Sequence, residues 1–172
     1  LANLEGALAA AHKSVKKSPE FGFGRARVAE LEFSFGRIDA ATDSAAKALQ
    51  YSPRNAQAFA LNGFLFAARN KIDSAIQEFN KAMEIDGGLA NAWLGRGLCL
   101  IRKGQQDAGR EDLLTAAALE PQRAFLRSYL GKAWTDAGEI QLAENELALA
   151  KQFDPNDPTA WLYSALLKQQ NN

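Results

Sequence analysis

Residues 92–104 read AWLGRGLCLIRKG, and the stretch raises two kinds of chemistry. A Gly-Arg-Gly run beside more basic residues could hold a phosphate, which needs converging backbone N–H groups and a cation. Cys99, the single cysteine, could be a nucleophile if its surroundings stabilised a thiolate. Elsewhere, the carboxylate pairs Glu30/Glu32, Glu111/Asp112 and Glu144/Glu146 could share acid–base work if a pocket shifted one pKa. His12 is the only histidine, which leaves no multi-histidine metal site and no catalytic triad. Lys13, Lys16 and Lys17, and the GFGRAR run at 22–27, could contact nucleic acid or another anion.

Bulk properties limit these options. The chain has 172 residues, 47% hydrophobic and 23% charged, ordinary values for a folded domain or short repeat array. Twenty basic residues balance twenty acidic ones, so the chain as a whole has no net field favouring nucleic acid or an anionic membrane. One cysteine makes no internal disulfide and leaves the redox compartment open. No apolar run approaches the roughly 20 residues of a membrane-spanning helix. Alanine is abundant and β-branched residues are few, which favours helix.

The chain also carries an internal ruler. Pro19 and Pro53 stand 34 residues apart, as do Pro121 and Pro155, with Gly87 midway between the two pairs. Gly63, Gly97 and Gly131 keep the same step, and so do Gly36, Asn70, Gly104 and Gly138. Within one period, Phe59, Asn62, Gly63 and Phe66 share a helical face. Asn70 is placed to end that helix, because its short side chain tolerates the left-handed conformation. Ile72, Ala75, Ile76, Phe79, Ala82 and Met83 form the stripe of a second helix, with Asp73 in its first turn. Small residues should let the paired helices approach, Gly63 against Ala75 and Gly97 against Gly109. Trp93, Phe79 and Leu113 should fill the seams, each contributing roughly 1.5–3 kcal/mol on burial.

This periodicity answers the opening question. Gly95 lies inside a helix, so no phosphate cradle can form there. Gly97 is a packing residue, Gly104 a helix cap and Cys99 a packed thiol. The paired carboxylates read as a solvated face, the lysine cluster as a complement to a helix C-terminus, and GFGRAR as a turn between repeats. Anion binding at that helix start is the alternative.

AWLGRGLCL, SYLGKAW and AFALNGFLF resemble the first helix of the tetratricopeptide repeat, and EIQLAENELALAKQFDP and KIDSAIQEFNKAMEIDG resemble its second. The resemblance covers the whole chain and implies an all-α solenoid of stacked antiparallel hairpins coiled into a right-handed superhelix. The expected repeats are 22–55, 56–89, 90–123 and 124–157. Residues 1–21 would be the second helix of a preceding repeat, and 158–172 the first helix of a following one. Arg25 and Arg127 stand where the pattern prefers Trp, and Glu32 where it prefers Tyr.

The resemblance further implies a non-catalytic scaffold, without cofactor or metal, that takes a peptide or helix of a protein partner in a concave groove. By register, Glu30 and Phe33 of the first unit, Phe64 and Ala67 of the second, and Asn91, Leu94, Leu98, Ile101 and Arg102 of the third would line it, with Ser128, Lys132 and Asp136 of the fourth. The mostly apolar set suits an apolar or amphipathic segment; nucleic acid and membrane insertion are not expected. The family's carboxylate clamp needs Lys and Asn where Ala26, Glu30, Ala60, Leu61 and Phe64 stand, and its asparagine ladder falls on Arg27, Leu61, Gly95, Tyr129 and Tyr163, so neither is present. The alternatives are a recruiting or regulatory arm of a larger enzyme or envelope protein, and self-association through uncovered ends. Leu4, Leu8 and Val15 mark one end, Trp161 and Leu166 the other. A segment of a longer bacterial protein, with further repeats on both sides, is expected.

Overall fold

The computed structural model describes residues 2–170; residues 1, 171 and 172, which the first and last expected segments include, lie outside it. Among the described residues there are ten α-helices and no strand. They are α1 (Ala2–Lys17), α2 (Gly22–Ser34), α3 (Ile38–Tyr51), α4 (Ala56–Ala68), α5 (Ile72–Ile85), α6 (Ala90–Arg102), α7 (Gln106–Leu119), α8 (Ala124–Asp136), α9 (Ile140–Phe153) and α10 (Pro158–Gln170). The architecture is the expected all-α succession of hairpins. The chain forms two compact units, Leu1–Gly95 and Arg96–Asn172, so the boundary falls within α6.

In the first unit the closest partners are α2 with α3 and α4 with α5; α1 packs on α2, α3 on α4, and α2 beside α4. In the second unit α8 pairs with α9, α7 packs on α8, and α10 packs on both α8 and α9. Within each unit, helices therefore meet their sequence neighbours and first helices lie side by side, as repeat units that cannot bury an apolar face alone require.

Four helix ends share one cap. Gly36, Asn70, Gly104 and Gly138 have φ of 71°, 59°, 82° and 77°. In α2 the Gly36 N–H donates to Phe33 O and the Arg37 N–H to Glu32 O, and the same pair of bonds closes α4, α6 and α8. This two-bond termination satisfies carbonyls that the helix leaves open, and its positive φ favours Gly or Asn.

Close approaches shape the packing. Gly97 and Gly109 face each other, as expected: a Cβ on Gly97 would stand 2.8 Å from Gly109 O, and one on Gly109 would stand 2.6 Å from Gly97 O. The nearest neighbour of Gly63 is the Phe79 ring, with ring carbons 2.6–2.7 Å from where its Cβ would be. Gly95 faces the same ring still more closely. Phe79 is fully buried because two glycines of different helices leave room for it.

The arginines at the Trp position are not weak points. Trp93 Nε1 donates to Gly87 O at 2.8 Å and Trp161 Nε1 to Pro155 O at 2.9 Å. Arg25 Nε donates to Pro19 O at 2.7 Å and Arg127 Nε to Pro121 O at 3.0 Å. Each bond reaches back six residues to the turn before the helix. At these four places a planar side-chain N–H makes the bond, and both residue types supply it; Phe59, at the same position of the second repeat, carries no such donor.

Candidate functional site

In the first unit, α2 and α4 present Phe33 and Phe64 side by side. Both are half-buried, with ring centroids 6.5 Å apart. Phe64 in turn stands edge-on to the buried Phe79, 5.0 Å away, so the core fixes its orientation. Phe33 packs on Ala29, Ala41, Ala45, Leu61 and Leu65. Ala67 is half-buried beyond Phe64, and Glu30 is exposed but paired with Arg27 at 2.6 Å. Asn91 is half-buried. Leu94 is only 3% exposed, a correction to the groove assignment: it offers a partner almost no side-chain surface.

In the second unit Leu98 and Ile101 are half-buried and Arg102 is exposed. Ser128 is fully buried, a second correction. Its hydroxyl donates to Ala124 O at 3.1 Å and lies 3.2 Å from an Asp157 carboxylate oxygen, so it is consumed in holding α8 to the turn before α10. Lys132 and Asp136 pair with each other at 2.5 Å across one helical turn, which leaves little unbalanced charge. An aromatic set lies beside them: Phe125 is a groove position by register, and Tyr129 and Tyr163 stand where the family's asparagine ladder would run. The rings of Phe125 and Tyr129 lie 4.7 Å apart, those of Tyr129 and Tyr163 5.8 Å, both edge-to-face. Tyr129 and Tyr163 are 34 residues apart. The second unit therefore presents Phe125, 37% exposed, and Leu162, 56% exposed.

Burial raises the Tyr163 pKa from 10.0 to about 12, with the Tyr129 phenol adding to the shift. The sign follows directly: the folded state favours the protonated phenol, so its contribution is intact below pH 10.0 and is lost as pH rises towards about 12. Phenolate difference absorbance is expected to show one tyrosine titrating late in the folded chain, and Tyr163→Phe should remove that late step. A Tyr163 titrating with the others would mean that the ring is open to water.

The buried carboxylates correct another reading. Glu32, Glu78 and Asp112 are 6%, 9% and 5% exposed, so they do not solvate a face. Asp112 accepts two bonds from Arg96, both 2.7 Å, from Nε and Nη2. Glu78 accepts from Asn62 at 3.3 Å and from Lys81 at 2.6 Å. Glu146 accepts from Arg127 at 2.9 Å. Glu78, Asp112 and Glu146 keep the 34-residue step, so the second helix carries a recurrent acid that ties it to the first. Arg96 is held above its ordinary pKa by the Asp112 hydrogen bonds, against the effect of burial. Glu32 meets Arg37 at 3.1 Å and His12 at 3.3 Å. These groups are engaged in bonds between and within helices rather than poised on a reacting centre. Cys99 is buried, and loss of hydration pushes its thiol pKa up, the opposite of what a nucleophile needs.

Of the residues expected to lie uncovered in α1, Leu8 is 8% exposed and packs with Val28 and Leu31, and Val15 is partly buried against the same cluster. Leu4 and Trp161 are 39% and 56% exposed, and Leu166 is half-buried.

No protein-family model matches the sequence. Among solved structures, the chain is similar to a thermophilic TPR protein of Thermus thermophilus, with a TM-score of 0.83 and 20% identity over 97% of this chain and 92% of that one. It is also similar to YrrB, described as a TPR protein with an unusual peptide-binding site, with a TM-score of 0.66 and 19% identity over 96% and 85% of the two chains. Among curated proteins, it is 28% identical over 93 residues to the anaphase-promoting complex subunit CDC16 of Saccharomyces cerevisiae, covering 54% of this chain and 11% of that protein. It is 26% identical over 103 residues to SPINDLY of Hordeum vulgare, a probable UDP-N-acetylglucosamine–peptide N-acetylglucosaminyltransferase, covering 60% of this chain and 11% of that protein. The chain thus spans only a small part of these curated relatives.

Proposed function

We propose that the chain, whose fold is that of solved tetratricopeptide-repeat proteins, is a non-catalytic module binding an apolar or amphipathic segment of a partner protein. Its repeats are 22–55, 56–89, 90–123 and 124–157. The observation that carries the reading is the pair Phe33 and Phe64: two half-exposed rings from neighbouring first helices, held in place by a buried third ring. Rigid aromatic side chains of this kind bind with little loss of conformational freedom. The similarity to YrrB, described as having a peptide-binding site, supports a peptide as ligand. In the first unit Phe33, Phe64 and Ala67 form the binding face, with Glu30 and Asn91 at its margin. In the second unit Leu98, Ile101 and Arg102, and the Lys132–Asp136 pair beside Phe125 and Tyr129, provide the surfaces.

Peptides selected on the chain from a display library are expected to bind with about micromolar affinity, near −8 kcal/mol. Ala67→Glu is the informative variant, because Ala67 is half-buried at the surface whereas Phe64 touches the core. It should weaken a peptide bound to the first unit at least about tenfold with the helical circular dichroism unchanged. Undiminished affinity in the folded variant, with hydrogen-exchange protection falling on α3 and α5 instead, would refute the face assignment.

A further inference from the structure

Zero net charge conceals a local separation of charge. Between residues 13 and 25 stand four cations, Lys13, Lys16, Lys17 and Arg25, and one carboxylate, Glu20. Between residues 47 and 54 stand Lys47 and Arg54 and no carboxylate. The fold brings these stretches to one edge of the first unit. The Arg25 guanidinium lies over the Tyr51 ring, 5.3 Å from its centroid. The start of α2 packs so tightly on the turn after α3 that a Cβ on Gly22 would collide with the Ser52 side chain. The end of α1 joins them, with Val15 reaching to 3.5 Å from where a Gly24 Cβ would stand.

The same edge carries exposed aromatic rings. Phe21 and Phe23 are 50% and 52% exposed, with centroids 6.2 Å apart, and Tyr51 is 39% exposed. Lys13, Lys16 and Lys17, towards the end of α1, are exposed. Two exposed phenylalanines at a turn that follows a lysine-rich helix end match the chemistry of an interfacial anchor. Aromatic rings enter the headgroup boundary while lysines reach acidic headgroups. An acidic peptide fits less well. The recess beside Phe21, lined by Ser18, Pro19, Glu20 and Phe21, is shallow and open to solvent, so it offers no channel to hold an extended chain.

We propose that this edge of the first unit docks peripherally on an anionic lipid bilayer. Phe21 and Phe23 enter the headgroup layer, and Lys13, Lys16, Lys17 and Arg54 lie over acidic headgroups. The attachment is reversible and sensitive to salt, since much of it is screened Coulomb attraction.

The test is co-sedimentation of the chain with phosphatidylcholine vesicles, alone and with about a third phosphatidylserine. The chain is expected to sediment only with the anionic vesicles and to be released by high salt. Each lysine near the surface is worth about fivefold in affinity, so the Lys13→Gln, Lys16→Gln, Lys17→Gln triple variant should bind about a hundredfold more weakly. Phe23→Ser should reduce binding several-fold with the helical signal unchanged. Its ring is half in solvent, so folding should tolerate the loss. Three outcomes would overturn the proposal: no sedimentation with anionic vesicles, triple-variant binding equal to the parent, or binding to soluble polyglutamate that matches the vesicle affinity and ignores Phe23→Ser. The last would assign the edge to an acidic polypeptide.

Discussion

Phe79→Ala is expected to destabilise the first unit by about 3–5 kcal/mol, the cost of removing a large ring from a site that cannot collapse. Phe79 is fully buried, and the walls of its site are backbone at Gly63 and Gly95 together with the Phe64 ring. Backbone within two helices has little freedom to close a void. The readout is the urea midpoint followed by helical circular dichroism. Phe153→Ala, at a ring 38% exposed, serves as the control and should shift the midpoint far less. A second substitution tests the geometry itself. Gly95→Ala places a methyl group into the ring and should cost about 1–3 kcal/mol alone. In a Phe79→Leu background the same change should cost markedly less, because the smaller side chain vacates the contested space. Additive effects would show that Gly95 and Phe79 do not share that space. Phe79 also orients Phe64, so Phe79→Ala should weaken peptide binding at the first unit even where the unit remains folded.

Breaking the Arg96–Asp112 pair is the second large expected effect. Asp112→Ala should cost about 3 kcal/mol, because it removes the carboxylate that accepts two hydrogen bonds from a largely buried guanidinium. Replacing both partners, Arg96→Met with Asp112→Leu, should recover part of the loss, since an apolar pair of similar volume needs no hydration removed from charge. Recovery in the double variant separates lost ion pairing from a general packing defect, which would not recover. The arginine side of the pair adds no pH dependence below the ordinary arginine pKa. That pKa is raised further in the fold, so the contribution is lost only above that range.

Much of the backbone was legible because the backbone itself restricts residue type. A left-handed residue at a helix end selects Gly or Asn, and Gly36, Asn70, Gly104 and Gly138 therefore stood out at constant spacing. Gly97 and Gly109 were legible for the same reason, since two helices approach closely only where neither carries a side chain. Gly95 was not legible in this way, because its requirement comes from Phe79 on another helix, and one sequence does not state which ring enters which gap. Arg25 and Arg127 were read as departures because spacing was compared by residue identity, whereas at these places Arg makes the same planar N–H bond as Trp. The acids at 78, 112 and 146 repeated in plain view. A carboxylate on a helix is ordinarily solvated, and only its partners on the facing helix show otherwise. The candidate face was legible in part. A helical period marks the apolar stripe but not which margin of it stays open, so Phe33 and Phe64 emerge half-exposed while Leu94 and Ser128 close inward.

Packing between sequence neighbours governs how such a chain gains and loses its structure. The strongest partnerships, α2 with α3, α4 with α5 and α8 with α9, each join helices separated by one short turn. Closing so short a span sacrifices little chain entropy, so such a hairpin can nucleate ahead of more distant elements. Damage should be just as local: one hairpin can fray while a distant one persists. Heat or denaturant would then dismantle the chain in stages, and a ligand gripping two adjacent hairpins would fuse the stages it spans.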